Sequence, residues 1–234
     1  DSLSGYSGIF ERNTIASGVI PQIAVILGPC SGGACYSPAI CDYIFVVDET
    51  SKMFITGPQV VKTVIGEELT AEELGGAMTH AKTSGVAHFL YKSEKNCLGG
   101  VRELLSYLPD NNQAPLPVKK GKSVDHCKNL VNIVPDNKKK SYDVHDVVNA
   151  MIDKDSFFEV QKNWAQNAVV GFGRIEGNTV GFVCNQANHK GGSLDIDSSD
   201  KIARFIRFCD CFNIPLVSLI DVPAFLPGSE QEHN

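Results

Sequence analysis

The 234-residue sequence predicts an α/β fold, on three observations. Nearly unbroken apolar runs, IPQIAVIL at 20–27 and IPLVSLI at 214–220, have the composition of strands covered on both faces. Stretches with apolar residues at helical spacing lie between such runs. The segments ASGVIPQIAVILGP and CFNIPLVSLIDVP repeat one order near the two ends of the chain: a helical approach, Ile-Pro, an apolar strand, then a proline turn. This faint repeat suggests two related α/β domains. Each would place a loop at the carboxyl end of a strand, where ligands bind in open sheets.

Taken in order, the run at 20–27 is expected as a buried strand ended by Gly28-Pro29, with a helix beginning at Gly32-Gly33 and reaching Ile40. DYIFVVD (42–48) reads as a second buried strand, and SKMFIT (51–56) as a third, closed by Gly57-Pro58. TAEELGGAMTHAKTSGVAHFLY (70–91) alternates helical stretches with glycine breaks, and Thr70 with Glu73 forms the T-x-x-E capping-box pattern. EKNCLGGVRELLSYL is an amphipathic helix stopped by Pro109. From Pro109 to Ser141 the chain is polar and proline-punctuated around a short LVNIV island, which reads as a domain joint. Beyond it come a helical DVHDVVNAMID, a short FFEV, a hairpin around Glu176-Gly177-Asn178, the amphipathic helix SSDKIARFIRFCDCFN, and the final apolar strand. GFGRIEG approaches a dinucleotide fingerprint, but its spacing is wrong and no helix follows, so the hairpin reading stands.

Composition narrows the function. The formal net charge is −6 and no basic face dominates, which argues against nucleic acid as a partner. The lysines of 119–140 sit among Asn, Asp and Pro, as in a solvated linker. The eight cysteines include no C-x-x-C and none has zinc-site spacing, so free thiols in a reducing compartment and no metal are expected. No apolar run approaches the roughly 20 residues of a membrane span. The chain opens at Asp1 without a signal sequence and closes on PAFLPGSEQEHN after a strand, as expected of a piece of a longer protein.

Three places carry candidate chemistry. In LGPCSGGACYSP, Gly32 and Gly33 let the backbone approach a ligand without a Cβ in the way. If a helical turn begins there, its first amides lack internal acceptors and make an anion cradle, an oxyanion hole worth roughly 3–4 kcal/mol of transition-state stabilisation per donor. The plainer alternative is a glycine pair serving tight packing. A rival reading makes Cys30 the nucleophile of a G-x-C-x-G elbow, with a histidine drawn from His80, His88, His126, His145 or His189. Gly75-Gly76 again permits close backbone approach, and His80 beside it is either a polar site residue or a helix-surface histidine. Asp221, at the end of the last strand beside Pro223, is either a site carboxylate or a turn cap.

These residues lie within a longer likeness. DSLSGYSGIFERN, ASGVIPQIAVILGPCSGGACYSPAICDYIFVV, FITGPQVVKTVIGEELTAEELGGAMTHAKTSGVAH and LDIDSSDKIARFIRFCDCFNIPLVSLIDVP, followed by FLPG, resemble the carboxyltransferase (β) subunit of biotin-dependent acyl-CoA carboxylases, of the propionyl-CoA type, essentially end to end. The resemblance implies two crotonase-like domains of ββα superhelix type, both incomplete: 1–125 as the C-terminal part of an N-domain on the acyl-CoA side, 126–140 as linker, and 141–234 as the N-terminal part of a C-domain on the biotin side. Carried over by position, Gly32 and Gly33 match the oxyanion hole that holds a thioester oxygen. Pro29, Cys30, Ser31, Gly57, Pro58, Gly75 and Gly76 fall on the acyl-CoA side, and Asp221, Pro223 and Phe225 on the biotin side.

The implied activity is carboxyl transfer from carboxybiotin to the α-carbon of a short acyl-CoA, propionyl-CoA giving methylmalonyl-CoA, a carbon–carbon ligase step of fatty-acid metabolism. The ureido nitrogen of biotin takes the α-proton and the glycine amides hold the enolate, so no side-chain base is required. Biotin would come on a partner, with biotin carboxylase and biotin carboxyl carrier subunits around a homohexamer, in the bacterial cytoplasm or the mitochondrial matrix. A methylmalonyl-CoA decarboxylase or transcarboxylase subunit is the neighbouring alternative, and a non-catalytic assembly fragment the alternative from another class. Two positions depart from the family pattern: Ala224 in DVPAFLPG, where glycine is usual, and Ala187 after Asn185-Gln186, where proline is common. The resemblance also places the second oxyanion hole, for biotin, beyond Asn234, so the 234 residues alone are expected to be inactive.

Overall fold

The computed structural model describes residues 2–119, 130–137 and 140–233. They divide into two compact units, 1–106 with 110–112, and 107–109 with 113–234. The division falls ahead of the 126–140 segment read as the linker. Tyr107 gives the reason: its ring stacks on Phe158 and Phe172, its hydroxyl donates to the Ser156 carbonyl (2.7 Å), and the Arg174 guanidinium lies 4.3 Å from its ring centre. Within the expected linker, Leu130–Asn132 forms a 3-10 turn, while 126–129 and 138–139 lie outside the described residues.

The first unit opens with helix α1 (Ser2–Ala16), which the sequence reading did not anticipate because its apolar residues follow no clear helical stripe. Then β1 (Ile23–Ile26) and β2 (Pro29–Ser31) follow each other across Gly28, and a 3-10 turn (Gly32–Cys35) leads into the short α2 (Tyr36–Ala39). The next β3 (Tyr43–Val47) and β4 (Lys52–Phe54) precede helices α3 (Pro58–Ile65), α4 (Ala71–Gly75) and α5 (Ala77–Lys82); β5 (Phe89–Tyr91) and α6 (Glu94–Leu105) close the unit. Strands β1, β3 and β5 form one parallel sheet, and β2 and β4 a second. Each successive β-β-helix segment therefore places one strand in each sheet, which is the ββα winding that the resemblance implies. The buried Ser51 hydroxyl joins two strand ends, donating to the Ile26 carbonyl and accepting from the Val47 N–H.

Burial corrects one detail. All five residues of β3 are buried, because it is the central strand of its sheet. Strand β1, expected to be covered on both faces, is an edge strand and mostly half-buried. The same holds in the second unit for β9 (Leu216–Leu219), where Leu216 keeps 38% of its surface exposed.

That second unit contains α7 (Val144–Met151), β6 (Phe158–Val160), β7 (Ala168–Ile175), β8 (Asn178–Asn185), α8 (Ile196–Cys211), β9 and the short α9 (Ser229–His233). Its sheet runs β6-β7-β8-β9, antiparallel until the last pair, where β8 and β9 are parallel. The hairpin turn has positive φ at both Glu176 (51°) and Gly177 (83°), the geometry that matches strand twist in a two-residue loop. The buried Asp153 carboxylate accepts both turn N–H groups, at 3.1 and 2.7 Å. Helix α8 starts at a capping box of Asp195 and Ser198 and buries Lys201, whose ammonium donates to the carbonyls of Gln161, Trp164 and Ala168 at 3.0, 2.9 and 2.7 Å. Burial lowers the Lys201 pKa to about 8, against the charge of Glu159.

Candidate functional site

The first candidate region is the exit of β2. Gly32 has φ +63°, a left-handed conformation in which glycine alone is unstrained, and it turns the chain from strand into the 3-10 turn. The carbonyls of Gly32 and Gly33 point forward, accepting from the Cys35 thiol (2.9 Å) and the Tyr36 N–H respectively. In a right-handed helical turn the N–H groups point opposite to the carbonyls, which turns the Gly33 amide back toward the β2 exit, while Gly32 at φ +63° sits outside that geometry. The turn is half-buried, beside the exposed Ser31 and Pro29. A backbone amide at a strand exit is a chemically suitable donor to an oxygen that gains negative charge.

Cys30 is a packing residue in this geometry. Its thiol donates to the Ala34 carbonyl (3.4 Å), and burial, followed by the neighbouring Cys35, raises its pKa, so it stays protonated at neutral pH. Every described cysteine is a free thiol. His80 has both ring nitrogens engaged, Nε2 with the Met53 carbonyl and Nδ1 with the Ser84 hydroxyl. Because a carbonyl only accepts, the proton sits on Nε2, and His80 pins α5 to β4. The buried His88 accepts the Ile44 N–H at Nδ1 (3.1 Å) and holds two strands together. His126 lies outside the described residues.

The pair Gly75-Gly76 is buried where α4 and α5 cross β4. A Cβ on Gly75 would lie 2.1 Å from the Met53 carbonyl oxygen, and one on Gly76 2.0 Å from the Glu72 carboxylate. Close packing thus accounts for both residues in this unit. Gly57 and Pro58 start α3 as N-cap and first-turn proline. Pro58 also borders an open cavity of about 380 Å³ lined with Gln59, Lys62, Glu68, Leu69, Thr70 and Glu73.

The second candidate region lies where the parallel strands β8 and β9 end. Asn185, buried at 4% exposure, accepts the Asp221 N–H at Oδ1 (2.7 Å) and donates from Nδ2 to the Asp221 carbonyl. The loop that follows carries Asp221, Pro223 and Phe225, all exposed. Its far end is paired with Leu194, whose N–H donates to the Ala224 carbonyl (3.0 Å) and whose carbonyl accepts the Leu226 N–H (2.8 Å). Ala224 fits this extended pairing without a positive φ. The Tyr142 hydroxyl donates to the Asp221 carboxylate (3.0 Å), and burial together with that carboxylate raises the Tyr142 pKa to about 12.

Beside it, His145 bridges two carboxylates, Asp143 at Nδ1 (2.6 Å) and Glu159 at Nε2 (3.1 Å). The Glu159 hydrogen bond, with Asp143 in support and burial opposing, raises its pKa to about 9. The imidazolium is therefore charged at neutral pH, with both nitrogens committed as donors. Gln186 completes the group, donating to Asp143 Oδ1 (2.7 Å). Sequence reasoning missed Asn185, Tyr142 and this acid-flanked role of His145. The one available signal was a polar Asn-Gln pair closing an apolar strand. Among the described residues no cluster could hold a metal ion, and no helix is long and apolar enough to cross a membrane.

Comparison with known proteins identifies the family and the fold. The carboxyl transferase domain family matches residues 1–234. The chain is 57% identical to the propionyl-CoA carboxylase carboxyltransferase subunit of Haloferax mediterranei, covering 100% of this chain and 46% of that protein. It is 52% identical to the methylmalonyl-CoA decarboxylase subunit alpha of Propionigenium modestum, again over 100% of the chain and 46% of the relative. Among solved structures, the transcarboxylase 12S hexamer with methylmalonyl-CoA and methylmalonic acid bound superposes with a TM-score of 0.96 at 48% identity, over 100% of this chain and 45% of that one. The chain thus spans just under half the length of the relatives it matches. With its ββα winding, the glycine turn at the β2 exit and a match over its whole length, the chain belongs to the carboxyl transferase domain family and has the crotonase-like α/β fold of that family.

Proposed function

We propose that the protein containing this chain moves a carboxyl group between biotin and the α-carbon of a short acyl-CoA, propionyl-CoA giving methylmalonyl-CoA. The observation that supports this reading is the Gly32 turn, with φ +63° at the β2 exit, in a chain 57% identical to a propionyl-CoA carboxylase subunit. Carboxybiotin, when bound, would supply the CO2 and the basic ureido nitrogen that the reaction needs, so no side chain of this chain has to act as base. The Gly32 and Gly33 amides hold the thioester oxygen as it becomes an enolate oxygen, and the new C–C bond forms at the α-carbon. Their stabilisation acts on charge that appears only on the way to the transition state.

In this reading the first unit takes the acyl-CoA, with Pro29, Cys30, Ser31, Gly57, Pro58, Gly75 and Gly76 near the thioester or framing its site. The second unit takes biotin. Pro223 and Phe225 offer exposed apolar faces suited to a bicyclic ring, and Asp221 with Tyr142 offers polar groups suited to a ureido edge. Both units are parts of larger domains. Biotin carboxylase, a biotin carboxyl carrier and five further copies of the subunit are the proposed partners.

The test is the full-length protein supplied with carboxybiotin and propionyl-CoA. Formation of methylmalonyl-CoA is expected, and its absence, with no CoA-dependent decarboxylation of carboxybiotin either, overturns the reading. The 52% identity to a methylmalonyl-CoA decarboxylase subunit favours one second reading, the same chemistry run toward propionyl-CoA. Reconstitution with a biotin carboxylase and ATP separates the two, since only the first yields net ATP-dependent carboxylation.

A further inference from the structure

We propose that Asn185 is a positioning residue for the biotin side: its side-chain amide fixes the backbone of Asp221 and thereby sets the loop that carries Pro223 and Phe225. The inference rests on the carboxyl-transfer reading above and adds a residue to it.

Strands β8 and β9 are paired through Cys184 and Leu219, and the sheet stops there. Residues 221–225 are exposed, so little side-chain packing of their own holds them in place. The backbone is fixed from outside at two points. Leu194 pairs with Ala224 and Leu226 at the far end. At the near end Asn185 engages both the N–H and the carbonyl of Asp221. A primary amide matches this pair of groups because it offers one acceptor and donors in one plane. An aspartate in its place would set a carboxylate against the Asp221 carbonyl.

A second observation shows that the surroundings are shaped around this amide. Gly192 has φ +80°, and a Cβ there would lie 2.8 Å from Asn185 Nδ2 and 3.3 Å from the Asp221 carbonyl oxygen. The glycine leaves the space that the amide occupies. The simpler role, in which Asn185 only satisfies strand-end polar groups, predicts a loss of stability and nothing specific to one substrate. A positioning role predicts a loss confined to biotin, since a misplacement of about 1 Å can cost on the order of 100-fold in a reaction that depends on alignment.

The experiment uses the full-length protein with Asn185→Ala and, separately, Gly192→Ala, which displaces the amide without removing it. Three quantities are read: hydrogen exchange at the amides of 221–226, the Kd for free biotin, and the Kd for propionyl-CoA. Both variants are expected to speed exchange at Asp221 and to weaken free-biotin binding about tenfold, while propionyl-CoA binding stays within about twofold of wild type. In transfer from methylmalonyl-CoA to free biotin, KM for biotin rises and KM for the CoA ester does not. Unchanged biotin affinity in a folded variant, or equal losses for both ligands, overturns the proposal. If Asn185→Ala does not fold, Gly192→Ala decides alone. Wild-type protein that binds no biotin instead overturns the carboxyl-transfer reading itself.

Discussion

Gly32 and Asn185 both act through the backbone, one by lacking a side chain and the other by using it. In the proposed reading the positive φ of Gly32 matters because it turns the chain from β2 into the 3-10 turn. Gly32→Ala should cost roughly 1–2 kcal/mol of strain at that φ and misalign the cradle, lowering turnover about 100-fold with acyl-CoA affinity much less affected. Cys30→Ala should leave turnover within about threefold, since the thiol is held protonated and bonded to Ala34. Steady-state kinetics on the full-length protein check both, and an inactive Cys30→Ala would restore the nucleophile reading. His145 carries a pH prediction. Its folded pKa of about 9 lies above the ordinary value of 6.5. The stabilisation is therefore complete below pH 6.5 and is lost as pH rises through 9. After allowance for solvent screening it amounts to about 1 kcal/mol. Denaturant unfolding should show wild type ahead of His145→Gln by that margin near pH 6 and level with it above about pH 9.

At the scale of elements, the β7–β8 hairpin was legible from its Glu-Gly turn between alternating apolar runs, and the structure adds a reason to alter it. Glu176 sits at φ 51°, where asparagine is favoured over glutamate in a two-residue turn. Glu176→Asn keeps the backbone N–H bonded to Asp153 and should raise stability by about 0.5 kcal/mol, seen as a higher Tm. Helices α6 and α8 were legible too from their amphipathic stripes, α6 with Pro109 as its stop signal, whereas the Asp195–Ser198 cap of α8 emerged only in the structure. What was not legible depended on distant partners. Strand β2 is three residues with a proline at its start, and only its pairing with β4 makes it a strand. The sequence showed that Gly75 and Gly76 permit close backbone approach, and the crossing of α4 and α5 over β4 supplies the approaching groups, which no local pattern reveals. The Lys201 ammonium gathers carbonyls some 33 to 40 positions away, and Asn185 reaches 36 positions along the chain to Asp221. The glycine turn was found because its meaning is local. The Asn185 clamp was missed because its meaning is tertiary.

For the whole molecule, the distribution of apolar surface argues that these residues function inside something larger. Helix α3 has no fully buried residue, only the half-buried Pro58 and Val61, while Val64 and Ile65 are 73% and 67% exposed and Ile55 just before it is 64% exposed. Exposed aliphatic residues so close together mark a surface that another part of the protein or another subunit covers. In the second unit, β9 pairs among the described residues with β8 alone, which leaves its other edge unpaired there and followed by Ile220 at 82% exposure. The relatives it matches are about twice as long as this chain, and the match covers 46% of each. Residues 1–234 expressed alone should therefore self-associate with rising concentration and bind a hydrophobic dye. Val64→Lys with Ile65→Lys should reduce that association without unfolding the chain, because neither side chain is part of the core. Sedimentation velocity distinguishes the outcomes: a wild-type segment that stays monomeric and dye-silent means that these aliphatic side chains are ordinary solvent-facing residues and that α3 needs no cover.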